Sequence, residues 1–385
     1  MEAYLDNSAT TPCLESVRDI VVKTMMVDYG NPSSRHQKGV EAEHYLRDAR
    51  EKIAATLKVK EKEIFFTSGG TESNNWALTG AAYANRRAGR HIITTAVEHA
   101  AVRMPLRFLE ELGFQVTVLP VDHTGHVNPE QAAESVREDT ILVSVMMVNN
   151  EVGTIEPVEQ IIRKIKEKKP SVLFHVDAIQ AYGKMRILPK RMGIDLLSVS
   201  GHKIHGPKGV GFLYVNEKTK IHPMILGGGQ QQGMRSGTDN VPGAAGLGVA
   251  AWEAYQNLDE VRAHLFSLKD RMIQGLLKLP EVYVISEEGD KSAPHIVTAA
   301  FSGVRSEVLL HALEERKIYV SSGSACSSNK KTAVNSVLQE LHLKPALAES
   351  TLRFSFSRLT GPEEIDYCLE NLKELLPVLR RYRRR

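Results

Sequence analysis

The chain has 385 residues, which is long enough for a large core and for two domains. Its 49 basic and 46 acidic residues nearly balance, so no direct nucleic-acid partner is expected. No signal peptide or bilayer-length apolar run is visible, so no membrane association is expected. Cys13, Cys326 and Cys368 lie far apart without a C-x-x-C pair. This argues against a disulfide framework or zinc site and predicts a reducing, cytoplasmic setting.

Short apolar runs alternate with amphipathic segments in the first part of the chain, between Glu63 and Val215. The predicted strands are 64–66, 91–94, 115–119, 141–145, 172–176, 195–199 and 211–215. The predicted helices are 73–87, 101–112 and 158–168. This alternation predicts an α/β domain with a mostly parallel sheet and helices on both faces.

The pattern changes after the glycine-rich stretches 227–229 and 246–248. The later predicted elements are a helix at 258–278, strands at 282–285 and 296–301, a helix at 306–315, strands at 318–320 and 351–355, and a helix at 362–379. They predict a smaller α+β domain. We therefore expect a large domain at 15–257, and a small domain at 1–14 and 258–385 that carries a mobile cysteine loop at about 321–331.

Lys203 lies four positions after the end of the apolar run 194–199 and precedes a turn rich in glycine and proline. An unpaired ammonium is costly to bury, whereas a lysine amine with a lowered pKa forms Schiff bases with carbonyls such as that of pyridoxal phosphate (PLP). Taken alone, a lysine between a strand and a turn is more often a solvated loop residue.

Four other predicted strands also end in polar residues. Ser68-Gly69-Gly70-Thr71 could hold a phosphate, His99 could stack on a ring or move a proton, Asn149-Asn150 could bind a ligand, and Asp177 could pair with a pyridine nitrogen. Each has a structural alternative as a turn, a helix cap or a packed histidine. Because parallel strand ends share one sheet edge, their coincidence predicts a ligand site there.

Cys326 lies in a run of small polar residues, Ser321 to Ser328, that is followed by Lys330 and Lys331. A structural cysteine normally has apolar neighbours, as Cys368 does, so Cys326 is predicted to be exposed and mobile. Nearby lysines favour the thiolate. Cys326 is therefore the functional candidate among the three cysteines.

These features resemble the cysteine desulfurases of the NifS/IscS type over essentially the whole chain. The matching segments are 4–12, 30–34, 67–74, 98–99, 149–153, 175–180, 200–203, 234–238, 321–326 and 352–355. The resemblance implies the PLP-dependent transferase fold type I, with a mostly parallel seven-stranded sheet in the large domain plus a smaller α+β domain. It also implies the conversion of L-cysteine to L-alanine, with sulfur delivered for iron–sulfur assembly or other thiolation.

By this resemblance Lys203 would bind PLP covalently, His99 would stack on its ring, and Asp177 and Gln180 would contact the pyridine nitrogen and the ring hydroxyl. The implied phosphate ligands are Gly70, Thr71, Ser200, His202 and, from the neighbouring subunit of a homodimer, Thr238. Asn150 and Arg353 would bind the substrate carboxylate. Lys203 and His99 would move protons, and Cys326 would take up the sulfur. A sulfur-acceptor or iron–sulfur scaffold protein is the implied partner.

No resident metal is implied, and Cys326 is a candidate ligand for a transferred iron–sulfur cluster. Gln231-Gln232 replaces a charged pair common in the family. Ser357 replaces a glycine, and this replacement could alter a strand bend near the site.

A selenocysteine lyase or an aminotransferase on the same fold is the alternative function, although an aminotransferase needs no thiol such as Cys326. A catalytically idle partner subunit would be expected to lose Lys203, Asp177 or Cys326. The basic tail 380–385 is a solvated end or, alternatively, a contact for an acidic partner or RNA.

Overall fold

The computed structural model describes residues 1–322 and 337–381. The strands are β1 Ala3–Tyr4, β2 Ile64–Thr67, β3 His91–Thr95, β4 Gln115–Leu119, β5 Thr140–Met146, β6 Leu173–Asp177, β7 Leu196–Ser200, β8 Gly211–Val215, β9 Val282–Val284, β10 Ile296–Phe301, β11 Ile318–Tyr319, β12 Ser321–Ser322 and β13 Thr351–Ser355. The helices are α1 Glu15–Met26, α2 Gln37–Leu57, α3 Gly70–Asn75, α4 Ala81–Asn85, α5 Ala100–Glu111, α6 Pro129–Glu134, α7 Val158–Lys168, α8 Pro189–Met192, α9 Val241–Gln256, α10 Leu258–Leu276, α11 Ser306–Glu314, α12 Val337–Glu340, α13 Pro345–Ala348 and α14 Pro362–Arg381.

The large sheet has seven strands in the order β2-β8-β7-β6-β5-β3-β4. The pairs from β7 to β4 are all parallel, and β8 pairs antiparallel with both β7 and β2. Only β8 therefore runs against the other six strands. All seven residues of β5 are buried, as expected for a parallel strand covered on both faces.

Side chains alternate between two apolar cores along the strands of this sheet. In β8, Phe212 and Tyr214 join one core, whereas Leu213 and Val215 join the other. Successive side chains of a strand point to opposite faces, so the two cores cover the two faces of the sheet. This arrangement leaves the carboxyl edge of the parallel strands as the place for a ligand.

A second group of elements has its own apolar core. The four-stranded antiparallel sheet β12-β13-β10-β9 packs with α10, α11 and α14, and β1 pairs in parallel with β11 beside them. Leu5, Leu268, Phe354 and Cys368 belong to this core, so the packing role predicted for Cys368 is confirmed. We propose the predicted boundary, with residues 15–257 as the large domain and residues 1–14 and 258–385 as the small one, and the separate core supports it.

The predicted α/β class with a mostly parallel seven-stranded sheet is confirmed. The pattern did not predict the helices α1, α2, α6, α8, α9, α12 and α13 or the short strands β1 and β12. The segment predicted as one helix at 73–87 consists of α3, the π-helix Trp76–Gly80 and α4. None of the helices within the described ranges combines the length and the apolar character needed to traverse a bilayer.

Candidate active site

A cavity of about 380 Å³ lies at the carboxyl edge of the large sheet. It is lined by ten of the predicted site residues, namely Gly70, Thr71, His99, Asn150, Asp177, Gln180, Ser200, His202, Lys203 and Arg353. Of the other two, Thr238 lies elsewhere on the surface, and Cys326 and most of its loop lie outside the described residues.

Lys203 follows β7 in a single turn of 3-10 helix and carries its amine into this cavity. The Nζ atom donates to the backbone oxygens of Ser8 and Ala9, the latter at 2.6 Å. Burial and the nearby Arg353 cation together lower the pKa of Lys203 to about 8, against the opposing effects of Asp6 and Asp177. An amine with a lowered pKa is more often uncharged, which is the nucleophilic form required for imine formation.

Asp177 ends β6 at the floor of the cavity and is buried. Its Oδ2 atom accepts a hydrogen bond from Asn74 Nδ2 at 2.7 Å, and its Oδ1 atom accepts from the Ile179 amide at 3.0 Å. Burial raises the pKa of Asp177, while these hydrogen bonds act in the opposite direction. The carboxylate is therefore held in one orientation and would be stabilised by a cation placed above it.

His99 is the N-terminal cap of α5. Its Nδ1 atom accepts a hydrogen bond from the Ala101 amide at 3.1 Å, so the neutral ring carries its proton on Nε2. Burial lowers the pKa of His99, which favours this neutral form. The capping bond thus fixes both the orientation and the tautomer of the ring.

Gly70 packs closely against the side chain of Ile179. A Cβ atom added to Gly70 would lie 2.2 Å from Ile179 Cδ1, so only glycine fits without movement. Nearby, His202 Nδ1 lies 3.2 Å from Thr10 Oγ1, and burial lowers the pKa of His202 to about 4. His202 is therefore a neutral hydrogen-bonding group in the ordinary pH range.

Arg235 forms an ion pair with Glu72 that the sequence analysis missed. Nε and Nη2 of Arg235 lie 3.0 and 3.2 Å from the two carboxylate oxygens, and Glu72 also accepts from the Ser68 amide at 2.8 Å. This bidentate pair ties the loop after β2 to the segment that precedes Thr238. The segment 234–238 was part of the resemblance, but the pairing of Arg235 with Glu72 has no local sequence signal.

Arg353 lies on β13 at the opposite wall of the cavity. Its Nη1 atom donates to the Asn150 backbone oxygen at 2.7 Å, and its Nη2 atom donates to Asp6 Oδ1 at 2.8 Å. Glu151 also lines the cavity, and burial raises its pKa to about 7 against the opposing effect of Arg353. The adjacent Asn149 is buried and caps its own turn, because its Oδ1 atom accepts from the amides of Glu151 and Val152.

The segment 8–11 closes one side of the cavity. Gln180 Nε2 donates to the Ser8 backbone oxygen at 3.0 Å. The amide and hydroxyl of Thr11 both donate to the His202 backbone oxygen, at 2.9 Å each. Neither contact was predicted, because the partners are about 170 to 190 positions apart in the chain.

The departures from the family pattern acquire specific partners in the structure. Gln231 Oε1 accepts from the Phe66 amide at 2.7 Å, and its Nε2 atom donates to the Phe66 backbone oxygen at 3.0 Å. The Gln231 side chain thus pairs with the edge strand β2 as the backbone of a neighbouring strand would. A carboxylate could accept but not donate there. Ser357 Oγ accepts from the Leu359 amide at 3.2 Å, which closes a local turn after β13.

Within residues 1–322 and 337–381, no group of three or more histidine, cysteine, aspartate or glutamate side chains is arranged to hold a metal ion. Of the two cysteines in these ranges, Cys368 is buried, and burial raises its pKa. Cys13 is exposed, and its sulfur lies 3.2 Å from the Gly206 oxygen.

Comparisons with known proteins agree with this architecture. The profile of the class-V aminotransferases matches residues 3–368. Among curated proteins, "Cysteine desulfurase IscS" of Methanosarcina thermophila is 43% identical, with 98% of this chain and 92% of that protein covered. "Cysteine desulfurase IscS" of Dictyoglomus turgidum is 42% identical, with 98% and 95% covered.

The solved structures show the same fold. A "NIFS-LIKE PROTEIN" superposes with a TM-score of 0.93 at 39% identity, covering 98% of this chain and 100% of that one. The apo structure of a cysteine desulfurase from Thermococcus onnurineus gives a TM-score of 0.88 at 26% identity, covering 98% and 95% of the two chains. The chain belongs to the class-V aminotransferase family, whose cofactor is pyridoxal 5'-phosphate.

Proposed function

We propose that the chain is a PLP-dependent cysteine desulfurase that converts L-cysteine to L-alanine and forms a persulfide on Cys326. The cavity supports this proposal, because it places an amine of lowered pKa, a buried carboxylate and an arginine within one space of about 380 Å³. The near full-length relatives are named cysteine desulfurases. The sulfur would pass to an acceptor or iron–sulfur scaffold protein, for cluster assembly or other thiolation.

The residues present fit PLP. Thr71, Ser200 and His202 bring two hydroxyl groups and an imidazole to the part of the cavity beside Gly70, a set of hydrogen-bonding groups that suits a phosphate. Asp177 would pair with the pyridine nitrogen, and Gln180 would face the ring hydroxyl. Lys203 would hold the cofactor covalently, and His99 would lie against the ring. When bound, PLP supplies an electron sink for the electrons released at the substrate carbons.

The chain's own groups would bind the substrate and move its protons. Arg353 and Asn150 would hold the α-carboxylate, a task suited to the fork of N–H donors on an arginine. The Lys203 amine can take and return a proton because its pKa is close to the working pH. The Nε2–H of His99 can donate to an atom in the cavity. Apolar side chains of Met146, Val148 and others in the lining help exclude water.

Sulfur transfer requires a nucleophile, and we assign this role to Cys326. Its thiolate would bond to the substrate sulfur while the carbon–sulfur bond breaks, which leaves alanine and a persulfide on the enzyme. The thiol must stay reduced before each turnover, so we also place the protein in the cytoplasm. These assignments rest on the sequence, because Cys326 lies outside the described residues.

The activity is tested by incubating the cofactor-loaded protein with L-cysteine and a reductant. We expect alanine and sulfide in equal amounts, because each turnover releases one alanine and the reductant then frees one sulfide. Formation of a keto acid from L-cysteine without sulfide would instead identify an aminotransferase and reject the proposal. Selenocysteine supplied in place of cysteine measures the selenocysteine lyase activity on the same site.

We further propose a homodimer in which Thr238 reaches the phosphate of the neighbouring subunit. Thr238 is exposed in a second cleft beside Met25 and Tyr29. Met26 and Tyr29, at and after the end of α1, are 72% and 69% exposed, and Leu226 is 73% exposed. Apolar exposure of this kind is typical of a surface that a partner covers.

Sedimentation of the cofactor-loaded protein at micromolar concentration is expected to give twice the mass of the chain. Thr238→Ala should remain dimeric and bind PLP about tenfold more weakly, because one hydrogen bond to a charged group is lost. A monomer in the wild-type protein, or unchanged PLP affinity in the variant, would contradict the respective part of this proposal.

A further inference from the structure

Arg353 has a carboxylate partner, Asp6, to which the sequence analysis gave no role. The Nη2 atom of Arg353 lies 2.8 Å from Asp6 Oδ1, and the two side chains are only 11% and 21% exposed. Ion pairs on an open surface contribute little, whereas pairs shielded from water interact more strongly. The interaction is therefore a defined part of the cavity wall.

The backbone fixes Asp6 beside Arg353. Asp6 forms a bridge to Ser355 on β13, two residues beyond Arg353 on the same strand. The Ser355 amide donates to the Leu5 oxygen at 2.7 Å, and the amide and side chain of Asn7 donate to the Ser355 oxygen at 3.2 and 3.0 Å. The position of the Asp6 carboxylate is thus set by the same strand that carries the arginine.

The guanidinium keeps unused donors after these contacts. Of its five N–H groups, one on Nη1 goes to the Asn150 oxygen and one on Nη2 goes to Asp6, and the buried Nε atom has no partner among the described residues. A fixed acceptor on each terminal nitrogen prevents rotation of the guanidinium plane. The remaining donors can therefore meet a planar carboxylate in a constant orientation.

Asp6 also offsets charge in the cavity. Lys203 and Arg353 both line it, and Arg353 lowers the pKa of Lys203 while Asp6 raises it. The two members of the pair therefore act on this amine with opposite signs. Without the negative charge of Asp6, less of the positive charge of Lys203 and Arg353 would be neutralised.

We propose that Asp6 is a positioning residue that fixes the Arg353 guanidinium so that its free N–H groups bind the α-carboxylate of the amino acid. This rests on the proposed function only in taking Arg353 as the carboxylate ligand. The opposite possibility is that Asp6 competes with the substrate for these donors. The two possibilities predict opposite changes in affinity when Asp6 is replaced. Loss of a positioning residue weakens carboxylate binding, whereas loss of a competitor strengthens it.

The test compares two amines that differ in the carboxylate. Cofactor-loaded Asp6→Asn protein is titrated calorimetrically with L-alanine and with ethylamine. We expect the affinity for L-alanine to fall about tenfold, the size expected for one charge-assisted hydrogen bond, and the affinity for ethylamine to stay within about twofold. Asp259→Asn is the matched control, since Asp259 pairs with Arg186 at 3.3 Å on the open surface.

Neither ligand requires desulfuration, so the result is independent of whether the chain turns over L-cysteine. In an Arg353→Ala background, Asp6→Asn should cause no further loss of L-alanine affinity. Unchanged or tighter L-alanine binding, an equal loss for both amines, or additive losses in the double variant would overturn the proposal. Asp6→Glu keeps the charge but displaces it, and should show the same selective loss if Asp6→Asn fails to fold.

Discussion

Lys203→Ala protein is expected to lose its cofactor on dialysis and to produce alanine from L-cysteine at least about 10³-fold more slowly than the wild type. The substitution removes both the covalent attachment and the base that lies in the cavity. The backbone oxygens of Ser8 and Ala9, which accept from the amine, would remain available to solvent or to a neighbouring group. Absorbance of the dialysed protein measures the cofactor, and chromatography of the amino acids measures the alanine.

Lys208→Ala is the matched control for this change. Lys208 lies in the same turn, five positions beyond Lys203, but its side chain is exposed and does not line the cavity. It should retain the cofactor and the activity of the wild type. Retention of covalently bound PLP in Lys203→Ala would show that another amine carries the cofactor.

Cys326→Ala protein is expected to retain the full cofactor absorbance but to release no sulfide above background from L-cysteine. The two functions separate because the residues proposed to bind the cofactor line the described cavity, whereas the thiol belongs to a different segment of the chain. A nucleophile that is removed leaves binding intact and stops the transfer step. Sulfide release and cofactor absorbance are measured on the same sample.

Cys13→Ala is the control, because Cys13 is the exposed cysteine among the described residues and its sulfur lies 3.2 Å from the Gly206 oxygen. It should release sulfide at the wild-type rate. Undiminished sulfide release by Cys326→Ala would reject the persulfide mechanism while leaving the PLP assignment intact.

The central sheet could be predicted from the sequence because its strands, except the edge strand β4, are almost entirely buried and largely apolar. The polar residues that follow them, such as Asp177 and Lys203, were predicted to share one edge, and the cavity contains both. Here the chain order and the parallel topology together determine which side chains meet.

Helix α9 was not predicted, for a physical reason. Its sequence, Val241 to Gln256, is rich in alanine and glycine, and nine of its residues are buried, so no polar face marks its period. Such a helix packs closely because its side chains are small: a Cβ on Gly248 would lie 2.6 Å from the Ala49 Cα of α2. Close packing against neighbouring helices therefore stabilises α9, and its sequence carries no hydrophobic periodicity that would predict a helix.

The partners of the site residues were also beyond the sequence analysis. Asn74 lies 103 positions from Asp177, and Arg235 lies 163 positions from Glu72. Each partner is an ordinary polar residue within its local sequence, and its role depends on the fold that brings it to the site. Motifs identify residues that contact the cofactor and substrate more readily than those that orient them.

The pairing of residues 5–7 with Ser355 has a consequence for biosynthesis. Asp6 and Arg353 are separated by 347 positions, so a nascent chain cannot close the cavity until Arg353 has left the ribosome. The large sheet can assemble earlier, since its last strand ends at Val215. Contacts of such long range form late because loop closure is costly. The cofactor would thus meet a cavity in which the large sheet is already formed but the wall at Arg353 is still missing. Pairing of residues 5–7 with Ser355 would close the cavity last.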